Sequence, residues 1–167
     1  MKTNTFSLLL LATALVATSP LSRAQDTKPA APATTEKPKA TTEELEAKFK
    51  AAMTKATLSG RWCTIKDGQM SPEKDDKYVI TGVTKLGSDS WVINARIRYG
   101  QRDFVAPIPV QVKWAGDTPV IIVDNVGIPG GNTYSARVMI YEKTYAGTWS
   151  GGDHGGLMNG LITNEKE

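Results

Sequence analysis

Between residues 90 and 114 apolar and polar side chains alternate with a period of two. Trp91, Ile93, Ala95, Ile97 and Tyr99 interleave with Val92, Asn94, Arg96 and Arg98. After Gly100-Gln101-Arg102-Asp103, the residues Phe104, Ala106, Ile108, Val110, Val112 and Trp114 interleave with Val105, Pro107, Pro109, Gln111 and Lys113. The pattern predicts two antiparallel, half-buried strands that share one apolar face. With those four residues as the turn, Tyr99 pairs with Phe104, Ile97 with Ala106, Ala95 with Ile108, Ile93 with Val110 and Trp91 with Val112. Pro107 and Pro109 lie two apart, so their missing amides fall on the same side of the strand. In this register that side faces away from residues 91–99, and the next strand should meet a gap, a bulge or a splayed edge there.

Upstream, Leu45, Phe49, Ala52, Met53 and Ala56 recur at helical spacing, with Glu44-Lys48 and Glu46-Lys50 four apart on the other side. Thr41-Thr42-Glu43-Glu44 carries the capping box of a helix start. One amphipathic helix is predicted over residues 41–57, too short to be stable alone in water. Residues 61–66 and 78–86 read as strands around a polar loop with Ser71-Pro72-Glu73, and Gly87-Ser88-Asp89 turns the chain into the central hairpin. Ala115-Gly116-Asp117 is a further turn. Val120-Ile121-Ile122-Val123 is apolar at every position, so both faces of that strand should be covered. The helix stripe is also unplaced, which predicts that the helix packs outside the sheet on or near residues 120–123.

A Gly and Pro cluster, Gly127-Ile128-Pro129-Gly130-Gly131, ends that strand. Tyr134, Ala136, Val138 and Ile140 alternate again. Glu142-Lys143-Thr144 is open to reading as a turn or as a bend in one long strand. Residues 145–150 and 157–163 flank Gly151-Gly152-Asp153-His154-Gly155-Gly156 as a last hairpin. The fold class is therefore mainly β: an antiparallel meander of about seven or eight strands forming a small, imperfectly closed barrel, with one N-terminal helix outside it. An open half-barrel or sandwich is the alternative.

Composition adds a location. Residues 1–24 have a Lys near the start, an apolar run over residues 6–17 and Ser22-Arg23-Ala24 at the end, the pattern of a cleaved signal peptide. The apolar run is shorter than the ~20 residues a membrane span requires. Residues 25–40, rich in Pro, Ala, Thr and Lys, read as a disordered linker, and residues 58–167 as the barrel-like domain. The protein is expected to be secreted or periplasmic, without a transmembrane anchor after signal cleavage. Losing Lys2 and Arg23 takes the formal charge from +3 to +1, which removes the electrostatic case for nucleic acid. Cys63 is the single cysteine, so no internal disulfide can form.

Gly60-Arg61-Trp62, just after the helix, resembles the Gly-x-Trp signature of the lipocalins and the wider calycin group. Gly147-Thr148-Trp149 repeats the triplet and is similar to the first strand of avidins. The calycin resemblance implies an up-and-down barrel with a tryptophan plugging one end. On that reading Trp91, Tyr99, Phe104 and Trp114 line the interior and a small apolar ligand sits among them. A lumen filled by its own side chains is the plainer alternative.

Other chemistry is sparse. Asp153 and His154 in their glycine loop could form an anion nest or an oriented base, while a tight hairpin turn explains the same glycines. One His without a second ligand is poor evidence for a metal. A Cys63-His154 dyad is conceivable, but a free Cys more often behaves as a small apolar group. No nucleotide loop, serine elbow or zinc motif occurs, so no cofactor is expected. Arg96, Arg98, Arg102 and Lys113 share an outward face that could dock another envelope or extracellular protein, or simply be solvated. The sequence thus points to a non-catalytic binding protein for a small apolar molecule, with a protein-docking module second and an enzyme using Cys63 or His154 third.

Overall fold

The structure is a computed structural model that describes residues 40–127 and 132–164. The signal segment, the linker up to residue 39 and residues 128–131 of the Gly and Pro cluster lie outside the described residues. Helix α1 (Thr42–Met53) starts at the predicted capping box: the Thr41 amide donates to the Glu44 carboxylate at 2.9 Å, and the Glu44 amide to the Thr41 hydroxyl at 3.3 Å. Lys55, at φ 56°, then turns the chain sharply into β1 (Ala56–Lys66), so this strand begins five residues before the apolar alternation suggested. The others are β2 (Gln69–Met70), β3 (Lys74–Gly87), β4 (Ser90–Tyr99), β5 (Arg102–Ala115), β6 (Thr118–Gly127), β7 (Thr133–Tyr141), β8 (Thr144–Gly151) and β9 (His154–Asn164). Glu142, at φ 51°, settles the open point between β7 and β8 as a turn.

Every strand pairs antiparallel with its neighbour in the order β1-β3-β4-β5-β6-β7-β8-β9, and β9 returns to β1 from Ala56↔Asn164 through Ile65↔Gly155. That return closes an eight-stranded barrel, in which β2 only prolongs the end of β1. The central hairpin forms with a register two residues from the predicted one. Ile97 meets Phe104, Ala95 meets Ala106 and Trp91 meets Val110, because the turn is Gly100-Gln101 alone. Gly100 adopts φ +54°, and glycine at the first position of a two-residue turn suits the twist of a hairpin. A slip of two preserves every face, so the predicted apolar side still points inward.

The prolines act as expected. The ladder between β5 and β6 runs only from Ala115↔Thr118 to Gln111↔Ile122, stopping just short of Pro109. Counting back from Tyr99↔Arg102, Pro107 and Pro109 fall in the pairs that exchange no hydrogen bonds with β4, so the absent donors are those that would have faced β6. Beyond that point β6 bulges between Val123 and Val126, with Asn125 at φ 47°. The ring is closed, yet its wall is split along half the length of β5.

Helix α1 lies outside the ring, as expected, but across one end rather than on the outer side of β6. Phe49 meets Trp91 and Trp114 edge-to-face, with ring centroids 5.4 and 6.4 Å away. Both tryptophans point inward at the end where β4 begins and β5 finishes. Lys85 of β3 holds Glu46, and Asn164 of β9 donates to the Ala52 carbonyl, so the helix is tied to the two strands that flank β1. Phe49, Met53 and Ala56 of the stripe join the barrel core and Leu45 is buried beside them, whereas Ala52 is exposed. The apolar β6 is covered differently: Ile121 is buried inside, whereas Ile122 is half-buried outside between Gln111 and Arg137, whose stems flank it.

The outer wall of β3, β4 and β5 carries Lys77, Arg96, Arg98, Asp103 and Lys113, all exposed, around an apolar interior. This polarity is the reverse of barrels that face lipid. Among the described residues no helix is long and apolar enough to cross a membrane.

Candidate functional site

The lumen of the barrel is partly hollow. A cavity of about 250 Å³ runs from Met53 to the exposed His154 at the far end. It is somewhat smaller than most drug-sized pockets, which begin near ~300 Å³. Since an apolar cavity of ~150 Å³ accommodates benzene, a body of roughly ten heavy atoms fits. The wall is almost entirely apolar: Ile93, Ile97 and Ile108 on the hairpin, Val123 and Val126 on β6, and an aromatic end. There Trp62 meets Tyr99 at 6.2 Å and Trp149 at 5.5 Å, Tyr99 meets Phe104 at 6.4 Å, and His154 stands edge-on to Trp149 at 5.4 Å. The split between β5 and β6 lies between Phe104 and Ile108 on one side and Val123 and Val126 on the other, so the cavity borders it.

Tyr99 and Phe104 therefore line the cavity, as expected from the sequence. Trp91 and Trp114 share the same interior but pack against Phe49 and are not among the residues lining the cavity. Trp62 of the first Gly-x-Trp triplet occupies the end opposite the helix. Among the described residues its Nε1 has no hydrogen-bond partner, while Nε1 of Trp149 donates to the Cys63 carbonyl at 3.3 Å. Lys74, its cross-strand partner, places its ammonium 5.3 Å from the Trp62 ring centroid. Burial first, and then the nearby Tyr134 hydroxyl, push the Tyr99 phenol up to about 12. Even so, Tyr134 does not complete a hydrogen bond to the Tyr99 hydroxyl.

The residues that sequence reasoning missed centre on Asp76. It is only 5% exposed, the one charged side chain among the buried residues described. Tyr145 donates its hydroxyl to Oδ1 at 2.7 Å and Tyr78 to Oδ2 at 3.2 Å, and the Gly60 amide bonds the same carboxylate. Both tyrosine rings line the cavity, so Asp76 stands directly behind its wall. Tyr145 reaches that position because Gly60 and Gly160, paired across β1 and β9, leave its ring a seat. A Cβ on Gly60 would lie 2.4 Å from the Tyr145 hydroxyl, and one on Gly160 would lie 2.6 Å from its ring. The glycine of Gly60-Arg61-Trp62 thus serves close packing.

Burial raises the Asp76 carboxyl above its ordinary 3.8, against the lowering effect of the bonds from Tyr145, Tyr78 and Gly60. An acid whose pKa is higher in the folded state stabilises the fold fully below 3.8, and that contribution is lost as pH rises through the folded value. Asp103, held by Arg96, and Asp153, held by His154, are lowered instead, so their contribution is present above 3.8 and disappears only as pH falls through their folded values. Between neutral pH and 3.8 the Asp76 effect therefore has the opposite sign to those of Asp103 and Asp153. Lowering the pH across that window is expected to stabilise the wild type relative to Asp76→Asn, read as the difference in Tm. Parallel Tm profiles would show that Asp76 titrates as an exposed acid.

The remaining candidates are placed as follows. Gly152-Asp153 is a two-residue turn with Gly152 at φ +63°, and His154 bonds Asp153 at 3.0 Å. Gly155 and Gly156 belong to β9, where a Cβ on Gly156 would strike the Cys63 carbonyl. Cys63 is buried, and no hydrogen bond joins it to His154 among the described residues. Arg96 makes a two-pronged ion pair with Asp103 at 2.7 and 2.8 Å, Arg98 reaches the same carboxylate at 3.0 Å, and Lys113 pairs with Asp89. Arg102 sits opposite Tyr99 at the hairpin tip. Among the described residues no three His, Cys, Asp or Glu side chains gather closely enough to hold a metal ion. No protein family, curated protein or solved structure matches the chain.

Proposed function

We propose that the chain is an exported, non-catalytic binding protein that holds one small, mainly apolar molecule in the hollow interior of a calycin-like barrel. The observation that carries this reading is the cavity itself: lined by aliphatic and aromatic side chains, running from Met53 to the exposed His154, and bordered by a split wall. Folded chains normally fill such space, because unfilled volume forfeits dispersion contacts. The docking alternative draws less support, since Arg96, Arg98 and Lys113 are already engaged by Asp103 and Asp89.

Titration of the folded protein with naphthalene, a body of about the right size, tests the reading. Saturable one-to-one binding is expected, reported by the emission of Trp62 and Trp149 in the cavity wall. Ala136 also lines the cavity, so Ala136→Phe fills it and abolishes binding while leaving a cooperative thermal transition. Linear, unsaturable partitioning in the wild type, or undiminished binding by Ala136→Phe, would count against a lumen site.

A further inference from the structure

We propose that the cavity selects a small organic cation, an alkylated ammonium on an apolar body, over neutral or anionic molecules of the same shape. The inference rests on the lumen reading above and adds the sign of the ligand's charge. Three observations carry it. The interior holds one carboxylate, Asp76, and no salt bridge reaches it among the described residues. Its partners are neutral donors, Tyr78, Tyr145 and the Gly60 amide, which satisfy its hydrogen bonds without cancelling its charge. Because the two tyrosines are themselves cavity wall, an ionised Asp76 imposes its negative potential on the hollow through a single layer of side chains in a weakly polarisable surrounding.

The wall facing that potential consists largely of ring faces and edges, Trp62, Tyr78, Tyr99, Tyr145 and Trp149, with no Lys or Arg among the lining residues. Aromatic faces attract ammonium groups, most strongly where water is excluded. The structure already displays this preference at the same end, where the Lys74 ammonium rests over the Trp62 ring. Lys74 is solvent-exposed, so its own charge is screened from the hollow far more than that of Asp76. An apolar sheath around the nitrogen suits a wall with few acceptors, which favours a quaternary ammonium over a primary one.

The test compares benzyltrimethylammonium with neopentylbenzene, its neutral isostere, and with hydrocinnamate, an anion of similar size, by fluorescence titration of the wild type and Asp76→Asn. The wild type is expected to bind the cation more tightly than the hydrocarbon and to reject the anion. Asp76→Asn is expected to lose about tenfold in cation affinity with the hydrocarbon unchanged. Equal losses for cation and hydrocarbon would overturn the proposal and reduce Asp76 to positioning its tyrosines. Binding of the hydrocarbon without the cation would overturn it too, leaving the lumen reading intact; binding of none of the three would take the lumen reading down. Should Asp76→Asn fail to fold, the wild-type order decides: cation bound and anion rejected supports the proposal, and the reverse refutes it.

Discussion

Phe49→Ala is expected to lower the stability of the barrel by about 3–5 kcal/mol, the range for removing a buried aromatic side chain. Phe49 is 3% exposed and is the contact that Trp91 and Trp114 share. Its loss leaves a void where the barrel wall, held in a closed hydrogen-bonded ring, cannot collapse inward. The predicted signature is a Tm lower by roughly 10 °C together with red-shifted tryptophan emission as Trp91 becomes wet. The cavity, which Phe49 does not line, should keep its ligand at temperatures where the variant is folded. A Tm within about 3 °C of the wild type would show that α1 does not serve as the plug.

Gly60→Ala should cost a similar amount by the opposite route. The added methyl would stand 2.0 Å from the Asn159 carbonyl, 2.4 Å from the Tyr145 hydroxyl and 2.7 Å from the Gly160 Cα. Two of these are backbone atoms, so relief requires β1 and β9 to separate along the seam that closes the ring. Overpacking of this kind costs about 1–3 kcal/mol and more where the backbone must move. About 3 kcal/mol is expected here, with faster amide exchange along β9. Displacing Tyr145 also removes a bond to Asp76, so the variant should lose ligand affinity even below its Tm. A variant with unchanged stability would mean the seam is looser than its contacts imply.

Much of the architecture could be read from alternation alone. The alternation over residues 90–114 specifies the central hairpin with its inward face, and Pro107 with Pro109 locate the split in the wall. The register slipped because Arg102 and Asp103 look like turn residues, whereas a glycine at the first turn position lets two residues do the work of four. The helix was misplaced because a stripe can be read from spacing but the surface that receives it cannot: Phe49 seeks Trp91 and Trp114, and nothing local to either segment says so. Among the candidate site residues, Tyr99 and Phe104 line the cavity, while Trp91 and Trp114 share their parity and pack against Phe49 instead. Parity assigns a face and leaves depth along the barrel unspecified.

Asp76 escaped notice for a related reason. Lys74-Asp75-Asp76-Lys77 looks like a solvated charged run, although Asp76 is in phase with Tyr78 and Ile80, both of which face inward. Extending the alternation back by two positions would have placed a carboxylate inside the barrel. Tyr145, contributed by a strand sixty-nine residues away, could not have been connected to it from sequence.

The split between β5 and β6 bears on how copies of this protein behave toward one another. A stretch of strand without a neighbour exposes amides and carbonyls that a second molecule can zip onto, the first step toward aggregated sheets. Here the vacant side of β5 lacks two donors at Pro107 and Pro109, and the facing stretch of β6 is broken by a bulge that carries Asp124. The barrel can therefore leave its wall parted without offering a template for intermolecular strand addition.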